Sequence, residues 1–169
     1  MYEYTPKKEN NKAAHLVLLF LIGGFLLLAL TSALPSLPFR WAFQIVGIVL
    51  IGGGVYLYTR YFTRTFTYAI VPREDGSADL TVTECQRKSR ITVCRLSLSG
   101  IERIEVVEAA ERDRRKALKK ELRANGRTLF SYTVNLAPTK VCYLSATECG
   151  QAVAICFEPD ERLLQMLGR

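Results

Sequence analysis

Residues 13–34 read AAHLVLLFLIGGFLLLALTSAL, and residues 39–58 read FRWAFQIVGIVLIGGGVYLY. The first run contains no Asp, Glu, Lys or Arg, and the second contains only Arg40 near its start. A helix needs about 20 apolar residues to cross the hydrocarbon core of a bilayer. The two runs therefore predict a membrane protein with an N-terminal two-helix transmembrane hairpin, whose spans lie at about 13–34 and 39–58 and whose connecting turn is rich in Pro.

Two other classes of segment could contain an apolar run such as 13–34. A core helix of a soluble protein rarely runs so far without a charged side. A cleaved signal peptide would use Lys12 as its basic region and Thr31-Ser32-Ala33 as its cleavage site. However, the run is too long for a typical signal-peptide core, and a second apolar run follows within a few residues. We therefore expect an uncleaved anchor with two spans.

Small residues predict how the two spans pack against each other. Ala29 and Ala33 are four residues apart in the first span, and Gly47 and Gly54 are seven apart in the second. Each pair falls roughly on one side of its helix, where small residues allow two backbones to approach closely.

Basic residues flank the hairpin on both outer sides. Three Lys lie within the first 12 residues, Arg60 and Arg64 follow the second span, and the turn between the spans has a single Arg. Because Lys and Arg accumulate in cytoplasmic loops, we expect a multi-pass protein of the cell membrane with both termini cytoplasmic. The predicted organisation is a cytoplasmic tail at 1–12, the transmembrane hairpin at 13–58 and a cytoplasmic domain at 59–169.

The cysteine pattern agrees with a reducing compartment. The five cysteines all lie in the second half of the chain, and no pair has C-x-x-C spacing; they are Cys85, Cys94, Cys142, Cys149 and Cys156. Their odd number and spacing predict free, mostly buried thiols. The only His, His15, lies at the start of the first span, so we expect neither a metal site nor a cofactor.

From residue 61 onward the apolar period changes to two, which is typical of β-strands. Turn signals such as Asp75-Gly76 and Ser99-Gly100 separate the short runs. The pattern predicts strands at about 61–70, 78–86, 91–98, 101–108, 127–134, 140–147 and 151–157, and a helix at 159–167. Leu163, Leu164 and Leu167 form the apolar side of that helix, which we expect to be buried.

A basic insertion at about 109–124 separates the fourth and fifth predicted strands. It is either a short amphipathic helix, with Ala110, Ala117, Leu118 and Leu122 near one side, or a mobile charged loop. Cations close to an anionic leaflet contribute about 1 kcal/mol each. We therefore predict membrane-surface contact for its seven basic residues; they are Arg112, Arg114, Arg115, Lys116, Lys119, Lys120 and Arg123. A solvated insertion without a partner is the alternative. Nucleic-acid binding is not expected, because interleaved aromatic residues are missing.

Three stretches carry a resemblance to a known family: RTFTYAI at 64–70, LSLSGIERIE at 96–105 and FEPDERLL at 157–164. Over about 61–168 the chain resembles bacterial membrane-anchored proteins with a pleckstrin-homology-like (PH-like) domain behind one or two transmembrane helices. The resemblance implies a PH-like seven-stranded β-barrel of two nearly orthogonal sheets, with a C-terminal helix that closes one open corner. It also implies a bacterial cell membrane as the location. The basic insertion departs from the family pattern.

The sequence contains no nucleophile elbow, phosphate-binding loop, H-E-x-x-H motif or dinucleotide-binding fingerprint. We therefore expect no catalytic residues and no enzyme. Two classes of function remain. The first is a non-enzymatic binding module that presents a protein-interaction surface to an unidentified partner at the inner face of the membrane. The second is an anionic-lipid headgroup-binding domain that uses the loop at 72–79, but three acids and one base in that loop favour the first class. No oligomeric state is predicted.

Overall fold

The computed structural model describes residues 2–9, 11–34, 36, 38–148 and 150–168. Two compact units divide the chain: one contains the described residues of 9–63, and the other contains those of 1–8 and 64–169. The predicted free thiol of Cys149, and Pro35 and Leu37 of the predicted turn between the spans, lie outside the described residues.

The first unit is a pair of long apolar helices. Helix α1 spans Asn11–Ala33 and helix α2 spans Arg40–Tyr58, and one π-helical turn, Thr59–Thr63, continues α2. Both helices are long and apolar enough to cross a membrane. Their most apolar windows are only 17% and 11% buried, whereas a core helix of a soluble protein is mostly covered. The exposed apolar surface of the two helices is therefore typical of a segment that is surrounded by lipid.

Glycines hold the two helices together. Gly47 and Gly54 lie buried in the packing side of α2, as predicted. The prediction for α1 is wrong: Ala29 and Ala33 are exposed, and the buried residues are Ala13, Val17, Gly24 and Thr31. Residues 17, 24 and 31 follow a spacing of seven, which returns to nearly the same side of a helix. A Cβ added at Gly24 would lie 2.8 Å from the carbonyl oxygen of Gly47, so glycine permits this close approach.

The second unit contains eight strands and two helices. The strands are β1 (Tyr2–Tyr4), β2 (Arg64–Pro72), β3 (Ala78–Gln86), β4 (Ser89–Ser97), β5 (Ile101–Glu108), β6 (Thr128–Ser131), β7 (Lys140–Glu148) and β8 (Gln151–Phe157). The helices are α3 (Arg112–Ala124) and α4 (Glu161–Met166). One sheet has the order β1-β2-β3-β4, and the other has the order β5-β7-β8-β6. All described pairs are antiparallel except that of β6 with β8.

The expected fold is confirmed in part: sheets and a C-terminal helix follow the two apolar helices, but the described strands do not form the expected seven-stranded barrel. The described chain forms two sheets of four strands, each with free edges, and a strand that the sequence analysis did not predict, β1, pairs with β2. The strand predicted at 127–134 has only four residues, because the chain turns toward Glu158 after Tyr132. The α3 insertion carries the chain across the second sheet, so that β6 pairs with β8 in parallel and β5 pairs with β7.

Side chains on the two sides of the second sheet pack into two separate cores. The larger core joins both sheets and includes Leu163, Leu164 and Leu167 from the C-terminal segment, which confirms that they are buried. Asp160 caps α4, since its Oδ1 accepts a hydrogen bond of 2.9 Å from the Leu163 amide. The smaller core lies under α3, on the other side of β7 and β8.

Candidate functional site

The basic insertion contains a regular helix, and the alternative of a mobile loop is excluded. Leu118 and Leu122 of α3 are buried against the second sheet, where they contact the smaller core. Ala110 and Ala117 are exposed, so the predicted four-residue apolar side is reduced to the two Leu. A short amphipathic helix of this kind depends on such burial, because its own propensity is insufficient.

Two of the seven predicted membrane-contact residues, Arg114 and Arg115, contact groups outside α3. The Arg115 guanidinium is half-buried, and its Nη2 donates to the carbonyl oxygens of Val107 at 3.1 Å and Pro138 at 3.2 Å. It thereby ties α3 to β5 and to the loop before β7. Arg114 pairs with Glu111 at 3.0 Å and lies 3.7 Å from Glu105.

The other five predicted residues form one continuous basic stripe along α3. They are Arg112, Lys116, Lys119, Lys120 and Arg123, and all five are exposed. Four of them are spaced by four, three and four residues, which places them on one side of a helix with 3.6 residues per turn. The nearest acid is Asp113, 3.8 Å from Lys116, but both side chains are largely in solvent and the pair contributes little. The stripe is therefore an available cationic surface.

A second surface lies where the two sheets fail to close. In the described part of the chain no strand pairs with the free hydrogen-bonding edge of β4, and residues 89–93 of β4 are exposed. From residue 64 onward, the exposed large apolar side chains among the described residues are Ile91, Val93, Phe130 and Met166. The first three lie on β4 and β6, at the open boundary between the sheets.

A groove of about 340 Å³ follows this boundary, and we call it the β4–β6 groove. Val93, Cys94 and Leu96 line one wall, and Phe130, Tyr132 and Val153 line the other. Two aromatic contacts build the second wall. The Tyr132 ring stacks on Phe130 with centroids 6.4 Å apart and meets the edge of Phe66 at 5.5 Å.

Two polar side chains in the β4–β6 groove, Cys94 and Tyr132, are neutral at physiological pH. Burial raises the pKa of the Cys94 thiol to about 11 and that of the Tyr132 phenol to about 12, and the two side chains also share a hydrogen bond. A thiolate is the reactive form of cysteine. The protonated Cys94 is thus a poor nucleophile, and the groove suits binding of apolar groups.

The loop at 72–79, the alternative site for a lipid headgroup, has its single basic side chain already engaged. Arg73 Nε donates to Asp79 at 2.8 Å, and Arg95 Nε donates to the same carboxylate oxygen at 2.8 Å. The Asp79 side chain is fully buried. Asp75 in the same loop accepts hydrogen bonds from Ser77, which hold the pKa of its carboxyl below its usual range. This loop therefore presents acidic and internally paired groups.

The two carboxylates Glu102 and Glu105 on β5 also have partners. Glu102 accepts from Thr147 and Arg127, which lower its pKa, and Glu105 pairs with Arg103. Among the described residues, no group of three His, Cys, Asp or Glu side chains could hold a metal ion. Comparison with known proteins adds no further candidate, since the chain matches no protein-family model, no curated protein and no solved structure.

Sequence reasoning identified the basic stripe but missed the β4–β6 groove. The strand at 91–98 was predicted, but a strand pattern does not say whether the strand lies at an edge. One available signal was the charge on the strand, because edge strands often carry basic side chains. Arg90 lies near the start of β4, Arg87 and Lys88 lie in the turn before it, and no acid occurs from Arg87 to Ser97.

Proposed function

We propose that the protein is a non-enzymatic, membrane-anchored binding module that presents a protein-interaction surface at the inner face of the cell membrane. One observation carries this proposal. Val93 and Phe130 are exposed and line the β4–β6 groove, and Ile91 lies exposed two residues before Val93 on the same edge strand, although nearly all other large apolar side chains of the described residues from 64 onward are covered. A local cluster of exposed apolar groups beside a groove is typical of an interaction site.

Helices α1 and α2 supply the anchor, and both of their outer ends lie at the cytoplasmic face. The pairing of β1 with β2 supports this topology, because residues before α1 and after α2 belong to one folded unit. Two crossings return the chain to the side from which it started. The basic flanks, with Lys12 before the hairpin and Arg60 after it, favour the cytoplasm for that side.

The PH-like resemblance is part of the proposal. The antiparallel pairing of β2, β3 and β4, the second sheet and the burial of Leu163 in the larger core support it. Strand β1 and the parallel pairing of β6 with β8 are departures from the expected barrel. The domain is accordingly proposed as a variant in which an added edge strand and the α3 insertion alter the sheet order.

The basic stripe contributes a diffuse contact with the anionic inner leaflet. Its five cations each add about 1 kcal/mol when they lie close to such a surface. A specific headgroup site is less well supported, because Arg73 of the 72–79 loop is bound to the buried Asp79. The stripe thus adds membrane attraction to a chain that the hairpin already anchors.

A photocrosslinking residue placed in the full-length chain tests the proposal in intact cells. At Val93 or Phe130 it should produce discrete protein adducts, because both side chains line the β4–β6 groove. The exposed Glu74, in the 72–79 loop, is the control position. Protein adducts that are equal at all three positions, or absent at Val93 and Phe130, would contradict the proposal.

A further inference from the structure

We infer that the partner contributes an extended segment of alternating acidic and apolar residues, which pairs with the free edge of β4 as a fifth strand of the first sheet. This inference rests on the proposed function, and it specifies the chemistry of the partner. Edge strands carry unpaired N–H and C=O groups that an extended peptide can use.

Strand β4 is the available edge of this unit. It has nine residues, whereas the edge strands β1 and β6 have three and four. The fourth edge, β5, is engaged near its end: Arg115 binds the Val107 carbonyl, and the Glu108 amide donates to Glu111. Among the described edges, only β4 therefore has both the length and the exposure that strand addition needs.

The two faces of the first sheet carry different side chains at β4. Arg90 lies opposite Cys85 and Thr92 opposite Thr83, on the outer side of the sheet. Ile91 lies on the other side, the side of Phe66 and the larger core. Side chains alternate between the two sides of a strand, so a strand added to β4 would place every second residue toward the arginines and the others toward the groove.

An extra residue in β4 enlarges the apolar contact. Val82 pairs with Cys94 and Thr83 pairs with Thr92, so Val93 is left unpaired as a β-bulge. Its side chain lines the β4–β6 groove together with Phe130. The groove would therefore receive apolar side chains of the added strand.

Charge decides which residues occupy the outer side. The segment from Arg87 to Ser97 has four basic residues and no acid. Arg95 is held in place by Asp79 but remains 59% exposed. Acidic residues opposite these arginines form favourable cross-strand pairs. Glu148, in contrast, lies in the lining of the groove, where an incoming acid would meet a like charge.

The same charges exclude a second copy of β4 as the preferred occupant. Two paired β4 strands would bring the Arg90 and Arg95 side chains of both copies together on one side of the joint sheet, and opposed like charges are destabilising. Charged side chains and bulges are known to prevent self-pairing of edge strands. The edge thus rejects itself and accepts a strand of opposite charge.

The test uses the full-length chain in detergent micelles and fluorescent peptides of about eight residues, a common strand length. The first peptide alternates Glu and Val. A second peptide has the same composition, but its Glu and Val residues stand in two separate blocks. A third alternates Lys and Val. Two more have the sequence of the first with N-methyl groups on every second amide; one is methylated at the odd-numbered residues and the other at the even-numbered residues, so that each blocks a different edge of the peptide strand. Only the unmethylated Glu–Val peptide and at most one of the two methylated peptides should bind. The bound peptide should slow hydrogen exchange of the backbone amides in β4.

Two variants test the contacts. Arg90→Glu should weaken binding of the Glu–Val peptide by about tenfold and improve binding of the Lys–Val peptide, because the cross-strand charge is reversed. Phe130→Ala should weaken binding of the Glu–Val peptide several-fold. Arg162→Glu, on α4, is the matched charge control and should have no effect.

Several results would overturn the inference: equal binding of the block peptide, equal binding of both methylated peptides, unchanged exchange in β4, or dimerisation of the chain through β4. The photocrosslinking experiment separates the two levels of the proposal. If Val93 and Phe130 capture a protein in cells but no Glu–Val peptide binds, strand addition is wrong and the binding module stands. If neither position captures a protein, the proposed function fails as well.

Discussion

Tyr4 lies directly opposite Tyr68 in the first sheet, with ring centroids 6.4 Å apart. One residue precedes both apolar helices and the other follows them. The pairing therefore incorporates the N-terminal tail into the folded domain, and it requires any hairpin that crosses the membrane twice to return the chain to its starting side. A tail that the sequence presents as a simple flank is an edge strand of the domain.

The first prediction concerns topology. A membrane-impermeant thiol reagent applied to intact cells should leave the native cysteines unlabelled, and it should also leave Glu3→Cys unlabelled, because the proposed topology places β1 and the domain on the cytoplasmic side. Ser36→Cys, between the helices, should be labelled. Permeabilisation should expose Glu3→Cys. Labelling of Glu3→Cys without permeabilisation would show that the proposed topology is wrong.

The second prediction concerns the helix hairpin. A Cβ at Gly24 would lie 2.7 Å from Ile51 Cγ1, whereas a Cβ at Gly52 would have no atom within 4 Å. Gly24→Leu should therefore separate the helices and destabilise the hairpin by about 1–3 kcal/mol, the usual range for overpacking. Gly52→Leu is the matched control. Thermal unfolding in detergent, with cysteine crosslinking between α1 and α2, measures the difference; equal behaviour of the two variants would contradict the packing.

The third prediction concerns α4. Leu163 is fully buried in the larger core, and Met166 of the same helix is exposed. Leu163→Ala should lower the free energy of unfolding by about 2–5 kcal/mol, because it leaves a cavity between the sheets. Met166→Ala should change it by less than about 1 kcal/mol. Denaturant unfolding of the full chain provides the measurement, and a Leu163→Ala variant as stable as wild type would show that α4 does not close the core.

The fourth prediction concerns the basic stripe. In nanodiscs, anionic lipid should slow chemical modification of Lys119 several-fold relative to neutral lipid, as read by mass spectrometry. High salt should reverse this protection, since the Debye length falls from about 8 Å at physiological ionic strength to about 3 Å at 1 M. Replacement of Arg112 and Arg123 by Gln should reduce the protection.

Arg73→Gln is the discriminating control for the stripe, and it should have no effect on the protection of Lys119. Protection that resists salt and depends on Arg73 would instead support a specific headgroup site in the 72–79 loop.

The fifth prediction concerns alkaline pH. Tyr143 is buried in the smaller core, and burial raises the pKa of its phenol from about 10 to about 12. Between these values the unfolded chain releases the phenolic proton while the folded protein keeps it, so stability falls as pH rises above 10. This contribution should cost about 1.4 kcal/mol between pH 9 and pH 11.

Tyr143→Phe tests the alkaline prediction because it removes the titrating group. Unfolding at the two pH values should show that the variant loses about 1.4 kcal/mol less stability than wild type. Equal losses would mean that the Tyr143 phenol is not buried in the folded state.

Local patterns predicted much of this fold. The uncharged run at 13–34 predicted a long helix, because its length and lack of charge are those of a segment that can cross a bilayer. The period of two predicted a strand at 140–147, which the structure shows as β7, and its neighbouring residues Cys142 and Tyr143 lie in different cores. The spacing of Leu163 and Leu164 likewise predicted a buried side of α4. In each case the spacing of hydrophobic residues predicts which residues are removed from water.

The sequence by itself determined the two apolar helices, the strand-rich domain and the position of its basic insertion, but not that this insertion is helical. Tertiary structure alone decided that Tyr2–Tyr4 joins the domain, that β4 remains an open edge, and that Arg115 binds backbone carbonyls while Lys119 stays exposed. The physical reason is that hydrophobicity and periodicity are properties of neighbouring residues. Strand pairing and guanidinium contacts instead depend on which segments, distant in the sequence, come together in the fold, and a local pattern of residues does not specify this.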